Sequence, residues 1–320
     1  MRVNEAAAFF SVFLALTAVE PFLTKRQPAL KIIGCPVQWA PAKKAAALFA
    51  TAIIPARYGS TRFPGKPLAA ATGKPLIQHV YEAVSRARRV DRVLVATDDE
   101  RIAAAVRGFG GEAVMTRSDH VSGTDRVAEA AAGLQTDLVV NVQGDEPEME
   151  PTAIDTLVDL MASRPDADMG SLACRFMRAD DVLNPACVKV IVSAAGDAIY
   201  FSRALIPYPR DTGGQVPDPS RWLLHLGIYA YRPDFLQELT RTPPCDLENT
   251  ERLEQLRVLH LGHKIAMAVI ERASTGIDTP QQYAAFVERC RACRAVSAKE
   301  PVASPFVPAR RDYGEQARRG

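Results

Sequence analysis

The sequence has no surplus of charge of either sign. In 320 residues, 39 lysines and arginines stand against 37 aspartates and glutamates, a formal charge of +2. Domains that hold nucleic acid through charge carry a clear basic excess, so such partners are excluded and any phosphate chemistry must come from a local site. Long apolar runs are missing too: Ala6 to Val19 is apolar over 14 residues, short of the about 20 that a spanning helix needs. Neither G-x-x-x-x-G-K-[ST] nor G-x-G-x-x-G follows the first strand, which removes the P-loop and weakens a dinucleotide fold. Cysteine is sparse, with Cys35, Cys174, Cys187, Cys245, Cys290 and Cys293 spread along the chain, unlike the disulfide framework of a short secreted domain. Cys290-x-x-Cys293 has no second pair and no histidines at ligand spacing, so it reads as two ordinary thiols on a C-terminal helix, not as structural zinc. A reducing, cytoplasmic setting fits.

What is present is ordinary for a globular chain: 48% hydrophobic and 24% charged residues, a balance that excludes disorder or fibrous character for the bulk of it. The length allows one large α/β unit or two modest ones. Residues 1–50, broken by Pro21, Pro28, Pro36 and Pro41, are expected to lie outside the fold, through an upstream start assignment. A peripheral membrane contact through residues 6–19 and secretion are the alternatives, although Arg2 is offset by Glu5 and no small-x-small cleavage site follows. Residues 51–292 form the expected core. Residues 293–320, with Pro301, Pro305, Pro308 and the arginines 310, 311, 318 and 319, read as a flexible tail.

Between the ends, strand and helix alternate. Thr51–Pro55, Arg92–Thr97, Glu112–Thr116, Asp137–Val142, His225–Tyr231 and Ile265–Ile270 read as strands. Helices are expected over Pro75–Val90, after the cap Asp98-Asp99, over Thr124–Gly133, over Glu248–Leu261 and from Pro280. Apolar strands without alternation belong to a mostly parallel sheet with helices on both faces. Ligands of such sheets bind at the carboxyl ends of the strands.

Three such ends carry chemistry. The first strand runs into Arg57-Tyr-Gly-Ser-Thr-Arg-Phe-Pro-Gly-Lys66, where two glycines and three cations, Arg57, Arg62 and Lys66, offer forks and a point charge to phosphate oxygens. A solvated surface turn is the bland alternative. The strand over 137–142 ends in Gln143-Gly-Asp145, and Asp278 follows the strand over 265–270. Each aspartate alone is open to a helix-capping reading. Together, beside the cationic loop, they suit Mg²⁺, which prefers one or two carboxylates plus phosphate oxygens.

A series of motifs then resembles the 3-deoxy-manno-octulosonate (Kdo) cytidylyltransferase family. They are Ile54–Leu68, Ala96–Asp98, Thr116–Arg126, Asn141–Pro147, Tyr200–Arg203, His225–Tyr231, Leu253–Leu259 and Gly276–Pro280, in the family's order over about residues 51–290. The segment Leu247–Glu251 departs from the family's commoner wording. The resemblance implies a nucleotide-diphospho-sugar transferase-like fold, with a smaller lobe that binds sugar and pairs two subunits into a homodimer. It implies transfer of CMP from CTP to Kdo with Mg²⁺. Pro55, Ala56, Arg57 and the segment around Ser122 would face the nucleotide, with Arg57, Arg62 and Lys66 on the triphosphate. Asp145 and Asp278 would hold the metal. Gln143, Arg203, Arg210, His225, Tyr229, Glu254 and Gln255 would line the sugar side, with Arg203 or Arg210 gripping the carboxylate. On residues alone, Tyr229 also suits a core aromatic, His225 a structural histidine and Glu254 a solvated helix charge. A related acid (amino-Kdo or a sialic-acid-like sugar) and a non-enzymatic nucleotide-binding role remain as competing readings.

Overall fold

Ala50–Ala56 (β1) is apolar and buried almost throughout, as a strand covered on both faces must be. The computed structural model describes residues 48–297 apart from Ser60, Thr61, Ala273 and Thr275. The extension before residue 48, its apolar run, Cys35 and residues 298–320 lie outside the described residues; a helix runs over Pro280–Ser297, so the first residues of the tail expected from 293 are helical.

From β1 the chain passes through α1 (Leu76–Val84), β2 (Arg92–Thr97), α2 (Glu100–Gly108), β3 (Ala113–Met115), α3 (Gly123–Ala131) and β4 (Leu138–Asn141). It continues through α4 (Pro151–Ser163), β5 (Met169–Arg175), α5 (Ala179–Leu183), β6 (Lys189–Val192), β7 (Ala198–Ser202) and β8 (Leu223–Tyr231). The last elements are α6 (Pro233–Arg241), α7 (Asp246–Glu251), α8 (Gln255–His260), β9 (Ile265–Ile270) and α9 (Pro280–Ser297). One nine-stranded sheet has the order β3-β2-β1-β4-β8-β5-β9, with β6 joined to β8 and β7 to β6. Among the described strands only β7 and β8 run against the rest, so the sheet is mixed but mostly parallel, as its unalternating strands required.

Both faces are covered. Ile77, Val80 and Val84 of α1, Ile102 and Val106 of α2, and Ile154, Leu157 and Met161 of α4 close one core over β1, β2 and β4. Val127 and Ala131 of α3, Phe235, Leu236 and Leu239 of α6, and Leu256 and Val258 of α8 close the other. A satellite core of Phe176, Val182, Val216 and Trp222 sits beneath the segment 176–222, which carries α5 and the β6–β7 hairpin. Lys189 on β6 is fully buried, and its ammonium donates to the carbonyls of Asn184, Cys187 and Arg203 at 3.2, 2.8 and 2.6 Å, the only arrangement that makes such burial tolerable. Among the described residues no helix is long and apolar enough to cross a membrane.

Two expected helices differ. The one over 75–90 stops at Val84, followed by turns at Ser85–Ala87. The one over 248–261 is two helices, because Arg252 takes φ 53° in the left-handed region, a conformation costly for any residue with a Cβ. The break turns Leu253 into the core and starts α8 afresh at Gln255. Arg257 braces the two pieces, donating to Glu248 at 2.6 and 2.5 Å and to the carbonyls of Leu239 and Thr242.

At the carboxyl end of β4, Gly144 lies against β1 so closely that a Cβ there would stand 2.6 Å from the Pro55 carbonyl oxygen. Only glycine permits that approach. Gly144→Ala is expected to push the 143–147 loop off β1 and to cost about 1–3 kcal/mol, read as a lowered midpoint of thermal unfolding.

Candidate active site

Two groups of side chains follow the carboxyl ends of these strands. In the first group, Lys66 follows a turn at Gly65 (φ 69°), whose amide donates to the Tyr58 carbonyl at 3.0 Å. The Tyr58 ring lies against Gly65 and under the Arg101 guanidinium, 3.5 Å from its centroid, and Arg101 is held by the α2 cap Asp99. The loop is thereby framed before any ligand enters. The Lys66 ammonium donates to Asp145 Oδ2 at 2.8 Å and to the Ile277 carbonyl at 2.7 Å, and stands 3.7 Å from Asp278 Oδ1. Arg62 reaches Asp278 from solvent at 3.1 Å. Asp278 arrives here because the Ile277 amide donates to the Asp145 carbonyl at 2.8 Å.

Two carboxylates thus converge on one ammonium. That donor set fits a hard divalent cation whose remaining positions are filled by phosphate oxygens and water; among the described residues no third His, Cys, Asp or Glu joins them. Glu146, next in the chain, accepts from the Ser274 hydroxyl, and burial lifts its carboxyl to about 7 against that hydrogen bond. Arg57 lies exposed at the end of β1 and Ala56 is buried beneath it.

The second group surrounds a cleft of about 240 Å³ lined by Ser122, Gly123, Thr124, Asn141, Gln143, Tyr229, Arg252, Leu253, Glu254 and Gln255. Ser122 caps α3 through a reciprocal box with Asp125, at 3.1 and 3.0 Å, which places Gly123 3.5 Å from the Pro55 ring if a Cβ is built on it. Tyr229 enters through an irregularity in the β5–β8 ladder, where Ser171 opposes Tyr229 but Leu172 opposes Leu226; such bulges re-aim side chains. Glu254 is displaced upward from the usual carboxylate range by burial, against hydrogen bonds from Thr124 and Ser122 and the nearby Arg257 charge.

Several expected site residues stand elsewhere. His225 lies behind the cleft, with Nε2 3.0 Å from Ser171 Oγ and its ring against Phe201 and Tyr229. The Arg203 guanidinium donates to the carbonyls of Glu251, Pro185 and Arg252 at 2.6, 3.0 and 3.4 Å, which holds the α7–α8 break. Arg210 is exposed in a single 3₁₀ turn. Neither arginine lines the cleft. Gly123, Thr124, Asn141, Arg252 and Leu253 do line it and were not expected as site residues, although all but Arg252 lie inside the motifs quoted above. Nothing in a linear pattern marks which motif residue faces a void.

Residues 51–265 match the family model described as Cytidylyltransferase. A 3-deoxy-manno-octulosonate cytidylyltransferase of Geobacter sulfurreducens is 49% identical over 247 residues, 75% of this chain and 99% of that protein. The chain belongs to the 3-deoxy-manno-octulosonate cytidylyltransferase family. A relative of the same name from Syntrophobacter fumaroxidans is 50% identical over 238 residues, 73% of this chain and 94% of that protein. Among solved structures, a CMP:2-keto-3-deoxy-manno-octonic acid synthetase complexed with CTP superposes with a TM-score of 0.70 at 43% identity, covering 78% of this chain and 99% of that one. The 4-diphosphocytidyl-2C-methyl-D-erythritol synthase of Anaerococcus prevotii shares the fold at a TM-score of 0.52 and 12% identity.

Burial lowers the His225 imidazole to about 3. Between that value and the 6.5 of an exposed histidine, the unfolded chain binds a proton that the folded chain refuses. Stability therefore rises with pH across this window and is lost as pH falls through it. Against His225→Gln, the wild type is expected to lose up to about 1.4 kcal/mol more per pH unit on acidification from 6.5, measured by urea unfolding at several pH values.

Proposed function

We propose that this protein transfers CMP from CTP to the anomeric hydroxyl of Kdo, releasing pyrophosphate and supplying CMP-Kdo to lipopolysaccharide synthesis. The observation that carries this reading is the convergence of Asp145 and Asp278 on Lys66, in the loop that begins at Gln143, a residue that lines a polar cleft of about 240 Å³. The names of the relatives and the CTP in the solved structure point the same way.

In this reading Lys66, Arg62 and Arg57 hold the triphosphate, the main chain at Pro55 and Ala56 with the segment around Ser122 faces the nucleoside, and Gln143, Tyr229, Glu254 and Gln255 line the sugar side. His225 supports Tyr229 from behind. Asp145 and Asp278 would hold Mg²⁺, which when bound supplies charge neutralisation at the phosphates. The new bond joins the anomeric oxygen to the α-phosphorus while the bond to the β-phosphate oxygen breaks and the hydroxyl proton leaves. Such a transfer asks for little covalent chemistry from the protein, so rate comes from holding the two substrates in line and from cations that meet the charge on the leaving pyrophosphate. Lys66 is suited to the second task, being partly buried, preset by Gly65 and already aimed between the carboxylates. A reducing cytoplasm suits the reading, as does the scattered cysteine pattern.

Pyrophosphate release from CTP and Mg²⁺ is expected with Kdo and not with sialic acid; release with amino-Kdo alone would favour the related-acid reading, and no release with any acid would reject the enzyme. Asp145→Ala is expected to lower kcat at least about a hundredfold, with the unfolding midpoint little changed.

Pairing of two chains through the 176–222 segment belongs to the same reading. Met177, Leu183, Ile199 and Tyr208 on it are exposed at 52–82%, more apolar surface than one segment of a monomer usually leaves in water. Light scattering is expected to give twice the chain mass, and Met177→Asp with Ile199→Asp to halve it.

A further inference from the structure

The loop that carries Arg62 and leads into Lys66 is gripped at its base through one aromatic ring. Tyr58 is half-buried and packs on the core that α1, α2 and α4 close. Gly65 lies against the hydroxyl end of the same ring, where a Cβ would stand 3.1 Å from Cζ and Oη and 3.2 Å from Cε2. Gly65 is confined twice, by that ring and by its left-handed backbone at φ 69°. Residues 58 and 65 are further joined by the bond from the Gly65 amide to the Tyr58 carbonyl at 3.0 Å.

What holds the ring down comes from another element. The Arg101 guanidinium, in the first turn of α2, stands 3.5 Å from the Tyr58 centroid. Its Nε and Nη2 donate to the two oxygens of Asp99 at 2.9 and 2.6 Å, while Asp99 Oδ1 accepts from the Arg101 amide at 2.9 Å as the cap of α2. A planar fork paired with both oxygens of one carboxylate has a single orientation, and here that orientation lies over the ring. α2 is itself anchored in the core by Ile102, Ala103 and Val106. A cation over an aromatic face is attracted by the ring's quadrupole, so a core helix reaches out and fixes both ends of the loop.

We propose that Arg101 is a positioning residue for the triphosphate: it touches no substrate and acts by stacking on Tyr58, so that the loop bearing Arg62 and Lys66 is ordered before a nucleotide arrives. The inference rests on the proposed reaction for the identity of that nucleotide, CTP. A loop ordered in advance gives up less conformational entropy when its ligand binds. The consequence therefore falls on the affinity for CTP and not on the chemical step.

Arg101→Ala removes the stack at an exposed side chain and is expected to leave the unfolding midpoint little changed. It is expected to raise KM for CTP, and the calorimetric Kd for CTP, about three- to tenfold, with kcat and KM for Kdo close to wild type. In the ligand-free variant trypsin is expected to cut after Arg62 faster than in the wild type, because the loop opens more often. Tyr58→Phe keeps the ring and is expected to match the wild type. Tyr58→Leu is expected to reproduce the loss, and adding Arg101→Ala to it to change CTP affinity little further. Unchanged affinity for CTP in Arg101→Ala overturns the proposal. So does weakened affinity with unchanged cleavage after Arg62, the signature of a guanidinium that meets phosphate directly; those two measurements decide the matter even if Tyr58→Leu does not fold. Calorimetry needs no turnover, so a wild type that binds CTP but is inert with every sugar acid rejects the reaction, while the binding and cleavage data still judge this inference. A wild type that does not bind CTP rejects both.

Discussion

Two ionised carboxylates that converge at the mouth of a sheet repel unless a cation stands between them, and the Lys66 ammonium does so at 2.8 and 3.7 Å. The contact ties together the loop after β1, the end of β4 and the strap after β9, segments more than 200 residues apart along the chain at its extremes. Like charges left unscreened in a half-buried site repel, so without Lys66 the strap bearing Asp278 would have little reason to close on Asp145. The main-chain bond from Ile277 to Asp145 and the Glu146–Ser274 contact then fix the closure. The phosphate side of the molecule hangs on this one junction.

The cleft lined by Tyr229, Glu254 and Gln255 depends on irregularity. Gly144 lets β4 turn against β1, the mismatch between β5 and β8 swings Tyr229 inward, and the left-handed Arg252 restarts a helix so that Glu254 and Gln255 face a void. Departures from regular structure at a site cost stability that the rest of the fold must offset. Here Arg203 and Arg257 do so by saturating the carbonyls and carboxylate around the break.

The parallel sheet was legible because buried strands such as Arg92–Thr97 and Ile265–Ile270 are continuous apolar runs, and both occur as expected. The carboxyl-end rule drew attention to the loop after β1, to Asp145 and to Asp278 for the same reason. The span 248–261 misled, because Leu253, Leu256 and Leu259 keep helical spacing while the backbone between them does not; no glycine or proline marks the break. Arg203, expected with Arg210 through the resemblance as a grip for the sugar acid's carboxylate, has its guanidinium engaged by main-chain carbonyls from two distant segments.

Periodicity, composition and motif order therefore determined the fold class, the position of the site at the strand ends and the family, since these depend on local pattern. Near-neutral charge excluded a nucleic-acid surface in the same way. Only the tertiary structure decided which side chains meet. It put Lys66 between two acids, packed His225 against Tyr229, spent Arg203 on carbonyls and lined one cleft with Ser122, Tyr229, Glu254 and Gln255. Those outcomes depend on distances between segments far apart in the chain, and no linear pattern encodes a distance.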